Sequence, residues 1–161
     1  MVSSKMKRTI KILLALSFFI SASAYSSVDY PDMNRPIGVG IMLGIPTGVT
    51  GKFFVDTDNA VTVGLGMSFM RETAFHAHAD YNYHLYDLLK VQDRSVPFYF
   101  GGGFRIKTET LFRFGVRIPV GIEYPLDTDP LVFHFEVVPI LDFAPEFTMS
   151  INVSLGARYY F

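Results

Sequence analysis

The chain has 161 residues, of which 50% are hydrophobic and 18% charged, with 14 Lys plus Arg against 15 Asp plus Glu and no cysteine. That length and composition describe one folded domain and exclude a disordered tail. The absence of cysteine excludes disulfides and a lipid-modified N-terminal cysteine.

In chain order, Lys5, Lys7, Arg8 and Lys11 come first, then an apolar run over 12–20, then Ser21-Ala22-Ser23-Ala24. A basic stretch, an apolar run about half as long as a spanning helix, and small residues are the parts of a cleaved signal peptide. Residues 1–24 are therefore expected to be removed after export. Taking those four cations and no acid from the 14 basic and 15 acidic residues leaves ten against fifteen. A mildly acidic mature chain gives nucleic acid no footing. Residues 25–36, with Pro, Asp and Ser among them, read as a short periplasmic lead.

From 37 onward no stretch has helical periodicity. Turn-like clusters divide the chain into strands expected at 37–45, 48–55, 60–70, 74–86, 96–107, 112–124, 131–143 and 149–161. Successive side chains on a strand face opposite ways. In the fourth segment Phe75, Ala77, Ala79, Tyr81, Tyr83 and Leu85 oppose His76, His78, Asp80, Asn82 and His84. The last sets Met149, Ile151, Val153, Leu155, Ala157, Tyr159 and Phe161 against Ser150, Asn152, Ser154, Gly156, Arg158 and Tyr160. In every segment one register is free of Asp, Glu, Lys, Arg, His, Asn, Gln, Ser and Thr.

Alternation alone does not say which face is inside, but side-chain volume does. Of the 13 glycines, Gly38, Gly40, Gly44, Gly48, Gly64, Gly66, Gly101, Gly103, Gly115, Gly121 and Gly156 lie on the polar side. Most phenylalanines, including Phe98, Phe100, Phe104, Phe112, Phe114, Phe133 and Phe135, lie on the apolar side. An eight-stranded cylinder is only wide enough for side chains to fill it, so the glycine-rich polar face belongs inside and the aromatic face outside. A sheet in hydrocarbon must close on itself to leave no edge unpaired. The expected fold is all-β: a closed antiparallel up-and-down transmembrane β-barrel of eight strands over 37–161, in the outer membrane. Pro119 and Pro139 each delete a ladder donor, and a bulge or local twist is expected near them.

The inward set carries Lys52, Asp80, Arg105, Lys107, Arg113, Arg117, Glu123, Glu136, Asp142 and Arg158. Charges in a narrow interior must pair, and the expected plug sets Arg105, Arg117 and Arg158 against Asp80, Glu123 and Glu136, with Lys52 in the same network. His76, His78 and His84 share a face with Asp80 at a spacing that suits a metal such as Zn²⁺. They read more simply as polar filler, and no metal or cofactor is expected. His134 and Glu136, two residues apart, have the makings of an acid–base pair but lack a nucleophile. The run Gly101-Gly102-Gly103 lies mid-strand, with no helix and no Lys-Ser or Lys-Thr after it, so it reads as close packing and not as a phosphate loop. Gly44-Ile45-Pro46-Thr47-Gly48 reads as a tight hairpin turn.

The ending Gly156-Ala157-Arg158-Tyr159-Tyr160-Phe161, with Phe last and apolar residues at alternate positions before it, resembles that of small eight-stranded outer-membrane β-barrel proteins. These are the OmpA-type and OmpX-type group and similar uncharacterised outer-membrane barrels. The resemblance covers 37–161 and implies that Tyr159 and Phe161 act as an assembly signal for the barrel-assembly machinery. It says nothing of activity. Relatives usually carry long surface loops, whereas the turns here near 46, 72, 110 and 146 are brief, which argues against an adhesin or receptor. The lipid A deacylases, also eight-stranded barrels, use a Ser and His pair facing lipid, but here the strand His and Ser residues point inward. The expected function is therefore a monomeric, non-enzymatic envelope-integrity barrel whose partner is outer-membrane lipid. The alternatives are binding of a small ligand or passage of a small solute through an interior cavity, and, less favoured, a lipid-modifying enzyme.

Overall fold

The computed structural model describes residues 30–69, 73–91, 94–126 and 130–161. The expected signal peptide over 1–24 and residues 25–29 of the lead lie outside the described residues. Among the described residues the chain is all strand and turn, with no helix. In chain order the strands are β1 (Ile37–Gly44), β2 (Thr47–Phe54), β3 (Asn59–Ser68), β4 (Ala74–Leu85), β5 (Lys90–Val91), β6 (Arg94–Ser95), β7 (Phe98–Thr108), β8 (Phe112–Arg117), β9 (Val120–Pro125), β10 (Leu131–Ala144) and β11 (Thr148–Tyr160). The tiny β5–β6 hairpin falls in the 87–95 stretch that the sequence reads as a break.

The remaining strands form one antiparallel ring. β8 and β9 lie end to end between β7 and β10, and both pair with each of these neighbours. Counting them as one gives a ring of eight in the order β1, β2, β3, β4, β7, β8 with β9, β10, β11. β11 closes it against β1, from Gly38↔Tyr160 to Gly44↔Ser154. The eight segments read from alternation coincide with these elements within a few residues, because a period-two apolar pattern bounded by turn residues has no helical alternative.

Turn chemistry fixes the corners. Between β1 and β2, Gly44 has φ 137°, and the Thr47 hydroxyl donates to the Gly44 carbonyl at 3.0 Å while accepting from its N–H at 3.1 Å. Between β2 and β3, one Asp56 carboxylate oxygen accepts from the backbone N–H of Asp58 at 2.9 Å and of Asn59 at 2.8 Å, an Asx turn. With the Asn59 amide also bonding to it, that carboxyl is held below its usual range.

Pro119 and Pro139 interrupt the ladder without a bulge. Ladder pairing lapses at Ile118-Pro119, yet the register does not slip: Ile140↔Arg117 on one side and Val137↔Val120 on the other belong to the same alignment. The missing donors are tolerated because the neighbouring bonds survive, Ile118 N–H to the Pro139 carbonyl at 3.0 Å and Gly101 N–H to the Pro119 carbonyl at 2.9 Å. The register shift of β10 falls instead between Asp142 and Ala144, next to the β10–β11 turn.

Burial alternates along every ring strand. The buried side carries the charged and polar residues, Lys52, Thr62, His76, Asp80, Asn82, Arg105, Arg117, Glu123, Glu136, Asp142 and Arg158, with apolar ones such as Phe54, Tyr99, Val138, Ile140 and Tyr160 among them. Across from the bulkiest of these stand glycines, as in Gly38↔Tyr160, Gly64↔His78, Gly103↔Asp80, Gly115↔Asp142, Gly156↔His134 and Gly121↔Tyr99. A Cβ on Gly121 would sit 2.5 Å from the Tyr99 ring and 2.6 Å from the Phe135 carbonyl oxygen, and one on Gly38 would meet the Tyr160 ring at 2.6 Å. The glycines are the space that the partner side chains occupy. Overpacking of this kind costs about 1–3 kcal/mol. Gly121→Ala is accordingly expected to lower the unfolding free energy read from urea titration by that amount, whereas Gly102→Ala, where an added Cβ meets nothing within 4 Å, should leave it near wild type.

Candidate functional site

The ring interior has two halves of different character. At the end that holds both described termini it is filled. Tyr30, carried in by the lead, packs against a buried cluster of Phe54, Ala60, Val132 and Tyr160, with edge-on ring contacts to Phe54 at 5.6 Å and Tyr160 at 5.8 Å. Its hydroxyl donates to Glu123 Oε2 at 2.7 Å and lies 3.2 Å from the Tyr160 hydroxyl. Burial, with the Glu123 carboxylate beside it, pushes the Tyr30 phenol well above its ordinary value, so it remains a hydrogen-bond donor.

Glu123, fully buried, is the hub of this half. Lys52 Nζ approaches its Oε1 at 2.6 Å and Arg158 Nη1 at 3.1 Å, while His84 Nε2 is 3.5 Å from its Oε2. Lys52 is also 2.6 Å from His84 Nε2 and stands over the Tyr99 ring at 4.5 Å. Arg158 donates to the Thr50 hydroxyl from Nε at 3.2 Å and Nη2 at 3.0 Å. Next along the interior, Arg117 binds Asp80 through Nε at 2.9 Å and Glu136 through Nη2 at 3.2 Å. Tyr99 donates to the other Glu136 oxygen at 2.8 Å.

Arg117 and Arg158 meet carboxylates that the sequence reading set against them, whereas Arg105 does not. Arg105 pairs with Asp142, its Nε 2.9 Å from Oδ1, and donates to Ser150 at 3.2 Å. Asp142 lies on the inward face in the sequence reading, but nothing in the sequence gives its vertical offset from Arg105. Gly115 bridges them in register, opposite Arg105 on β7 and opposite Asp142 on β10. Tyr99 and Tyr30 also escape a reading that follows charges alone. With Asp142 included, the buried ions among the described residues are four cations (Lys52, Arg105, Arg117, Arg158) and four carboxylates (Asp80, Glu123, Glu136, Asp142), each cation within contact of a carboxylate.

The histidines do not gather. His84 belongs to the Glu123 hub, His76 Nε2 is 2.9 Å from the Ser68 hydroxyl, and His78 Nε2 is 3.9 Å from Asp80. Among the described residues no three or more His, Cys, Asp or Glu are arranged to hold a metal ion. His134 lies opposite Gly156 and Glu123, while Glu136 is taken by Arg117 and Tyr99. Gly101-Gly102-Gly103 lies inside β7, where Gly101 and Gly103 back onto Asn82 and Asp80. The exposed ends of the β11 motif, Tyr159 and Phe161, pack edge-on at 5.0 Å on the outer face.

At the opposite end the ring is open. A cavity of about 710 Å³ there is lined by Ser68, His76, Arg105, Lys107, Glu109, Arg113, Asp142 and Asn152, with Ile45 and Leu111 also on its wall. Glu109 contacts Lys107 and lies 3.7 Å from Arg113 Nε. The hydrogen bond from Lys107 holds its carboxyl below the usual range. The chain matches no protein-family model, no curated protein and no solved structure.

The two glutamates separate by their partners. Glu123→Gln leaves Lys52 and Arg158 sharing no carboxylate, and breaking a buried ion pair on one side costs about 3–5 kcal/mol. Glu136→Gln leaves Arg117 its Asp80 partner and is expected to cost about 1–3 kcal/mol, the range for an impaired buried hydrogen bond. Equilibrium unfolding of both variants checks the ranking, and equal losses would contradict a hub at Glu123.

Proposed function

We propose that the chain is an integral outer-membrane β-barrel whose interior is closed by paired charges and which serves the envelope as a structural, non-conducting and non-enzymatic element. The observation that carries this reading is the inverted polarity of the ring. Strands β1–β4 and β7–β11 direct no Asp, Glu, Lys, Arg or His outward, and Val39, Ile41, Val63, Leu65, Phe104, Ile151 and Leu155 are between 49% and 66% exposed. Soluble monomers rarely expose contiguous apolar patches beyond a few hundred Å², whereas here the apolar surface runs round the whole ring.

Three further features support it. A closed ring leaves no unpaired strand edge, as hydrocarbon demands. Ring strands of 8 to 14 residues bracket the roughly 9–11 needed to cross a tilted bilayer. Tyr81, Tyr83 and Tyr159, about half exposed, stand on the outer face towards the end that holds the termini, where an interfacial aromatic belt belongs. The basic and apolar stretch over 5–20 agrees with export, and the alternating apolar residues over 149–161 resemble those of the small outer-membrane barrels.

A charge on the outer face distinguishes lipid from water. Leu65→Arg is expected to destabilise the protein by about 2–4 kcal/mol in phospholipid vesicles, as an arginine does near the bilayer midplane. On a ring dissolved in water such a surface change falls within about 0.5 kcal/mol. The refolded protein should also run at a different gel mobility before and after boiling, and give no steady current in a planar bilayer. A persistent conductance would overturn the closed interior.

A further inference from the structure

The open end of the ring differs in charge from the rest of the interior. Deeper in, among the described residues, Lys52, Arg117 and Arg158 meet Asp80, Glu123 and Glu136. Around the cavity, Arg105, Lys107 and Arg113 face only Glu109 and Asp142 among the described residues. Arg105 and Asp142 satisfy each other. Glu109 is shared by Lys107 and Arg113, so one positive charge is left over, and it resides on the two cations that remain accessible, with 19% and 27% of their side chains exposed.

A second feature lies on the same wall. Asn152 is 5% exposed, and its Nδ2, a donor, finds no hydrogen-bond partner within the protein. A buried donor without an acceptor costs free energy until one meets it. The cavity that Asn152 lines measures about 710 Å³, inside the range of roughly 300–1,000 Å³ typical of small-molecule sites. Surplus positive charge, an unanswered donor and room beside them all call for a ligand rich in acceptor oxygens. Ile45 and Leu111 on the wall suit the carbon skeleton of such a molecule.

We propose that this vestibule binds a small organic oxyanion, whose charged group pairs with Lys107 and Arg113 and whose other oxygens accept from Asn152. The site depends on the ring and its cavity and not on the membrane reading. The oxyanion has two possible sources, a free solute or a lipid headgroup, and they are separable by experiment.

The test titrates the folded protein, its fold checked by circular dichroism, with glycerol phosphate in nonionic micelles at low ionic strength. A parallel arm uses micelles doped with phosphatidylglycerol, and calorimetry together with the Asn152 side-chain amide resonances reads both. If the protein is soluble without detergent, the glycerol phosphate arm runs in plain buffer, so failure of the membrane reading leaves the outcome interpretable. Saturable binding is expected, weakened tenfold or more by Arg113→Gln and by Lys107→Gln and tightened severalfold by Glu109→Gln, which frees both cations. Saturation by glycerol phosphate assigns a soluble ligand. Saturation by phosphatidylglycerol alone, with the same response to the variants, assigns a headgroup. Absence of saturation in both arms, or binding that ignores both cation substitutions, overturns the proposal.

Discussion

An eight-stranded ring encloses so little space that each large inward side chain must be matched by a vacancy and each charge by a partner. That constraint orders the whole molecule. Tyr99 fits because Gly121 stands across from it, and Asp80 because Gly103 does. Among the described residues the four buried cations and four carboxylates all find partners of opposite charge, and one carboxylate can serve two cations. Glu123 does so for Lys52 and Arg158, while Arg117 reverses the arrangement by binding Asp80 and Glu136.

An interior of ions is not the most stabilising one available, since buried ion pairs often do no better than apolar residues of similar volume. What it supplies here is discrimination. A strand slipped by one residue would turn its charges outward and its phenylalanines inward. In water the outward charges would be tolerated, but in the proposed lipid setting both halves of that exchange are penalised. The pairing between β1 and β11 that closes the ring juxtaposes its first and last strands, and Arg158 on β11 reaches Thr50 on β2 and Glu123 on β9. The charges thereby fix the register of strands that do not neighbour one another.

The fold was legible in the sequence because each of its signals is local. Alternation along 74–85 or 148–160 needs no knowledge of the partner strand, and the glycines reveal the inside by their type alone. The pairings were less legible because they depend on how far each strand is staggered against the next, a quantity set by turns and irregularities. Arg105 finds Asp142, not Asp80, because the registers set both Arg105 and Asp142 opposite Gly115. Tyr30 sits in a lead with no periodicity at all, and its role emerges only once the cavity it enters exists. The prolines gave the opposite lesson. Two missing donors suggested a bulge or local twist; no bulge forms, Ile118 and Gly101 each keep a carbonyl partner, and alternation passes through the gap unchanged.

The same constraint explains why the two ends differ. Near the termini β4 ends at Leu85 and β7 begins at Phe98, and the connecting chain folds back so that Val96 and Pro97 are buried and the Pro97 carbonyl accepts from Glu123 N–H at 2.8 Å. With Tyr30 inserted from the lead, that end has more chain than the ring perimeter requires, and the surplus fills it. At the other end β1 meets β2 across two residues, β7 meets β8 across three, and β10 meets β11 across three. Among the described residues these short turns fill none of the opening, and the cavity wall is made of strand and turn side chains. Closure at one end and access at the other thus follow from where the chain spends its connecting residues, and the surplus cation lies at the accessible end.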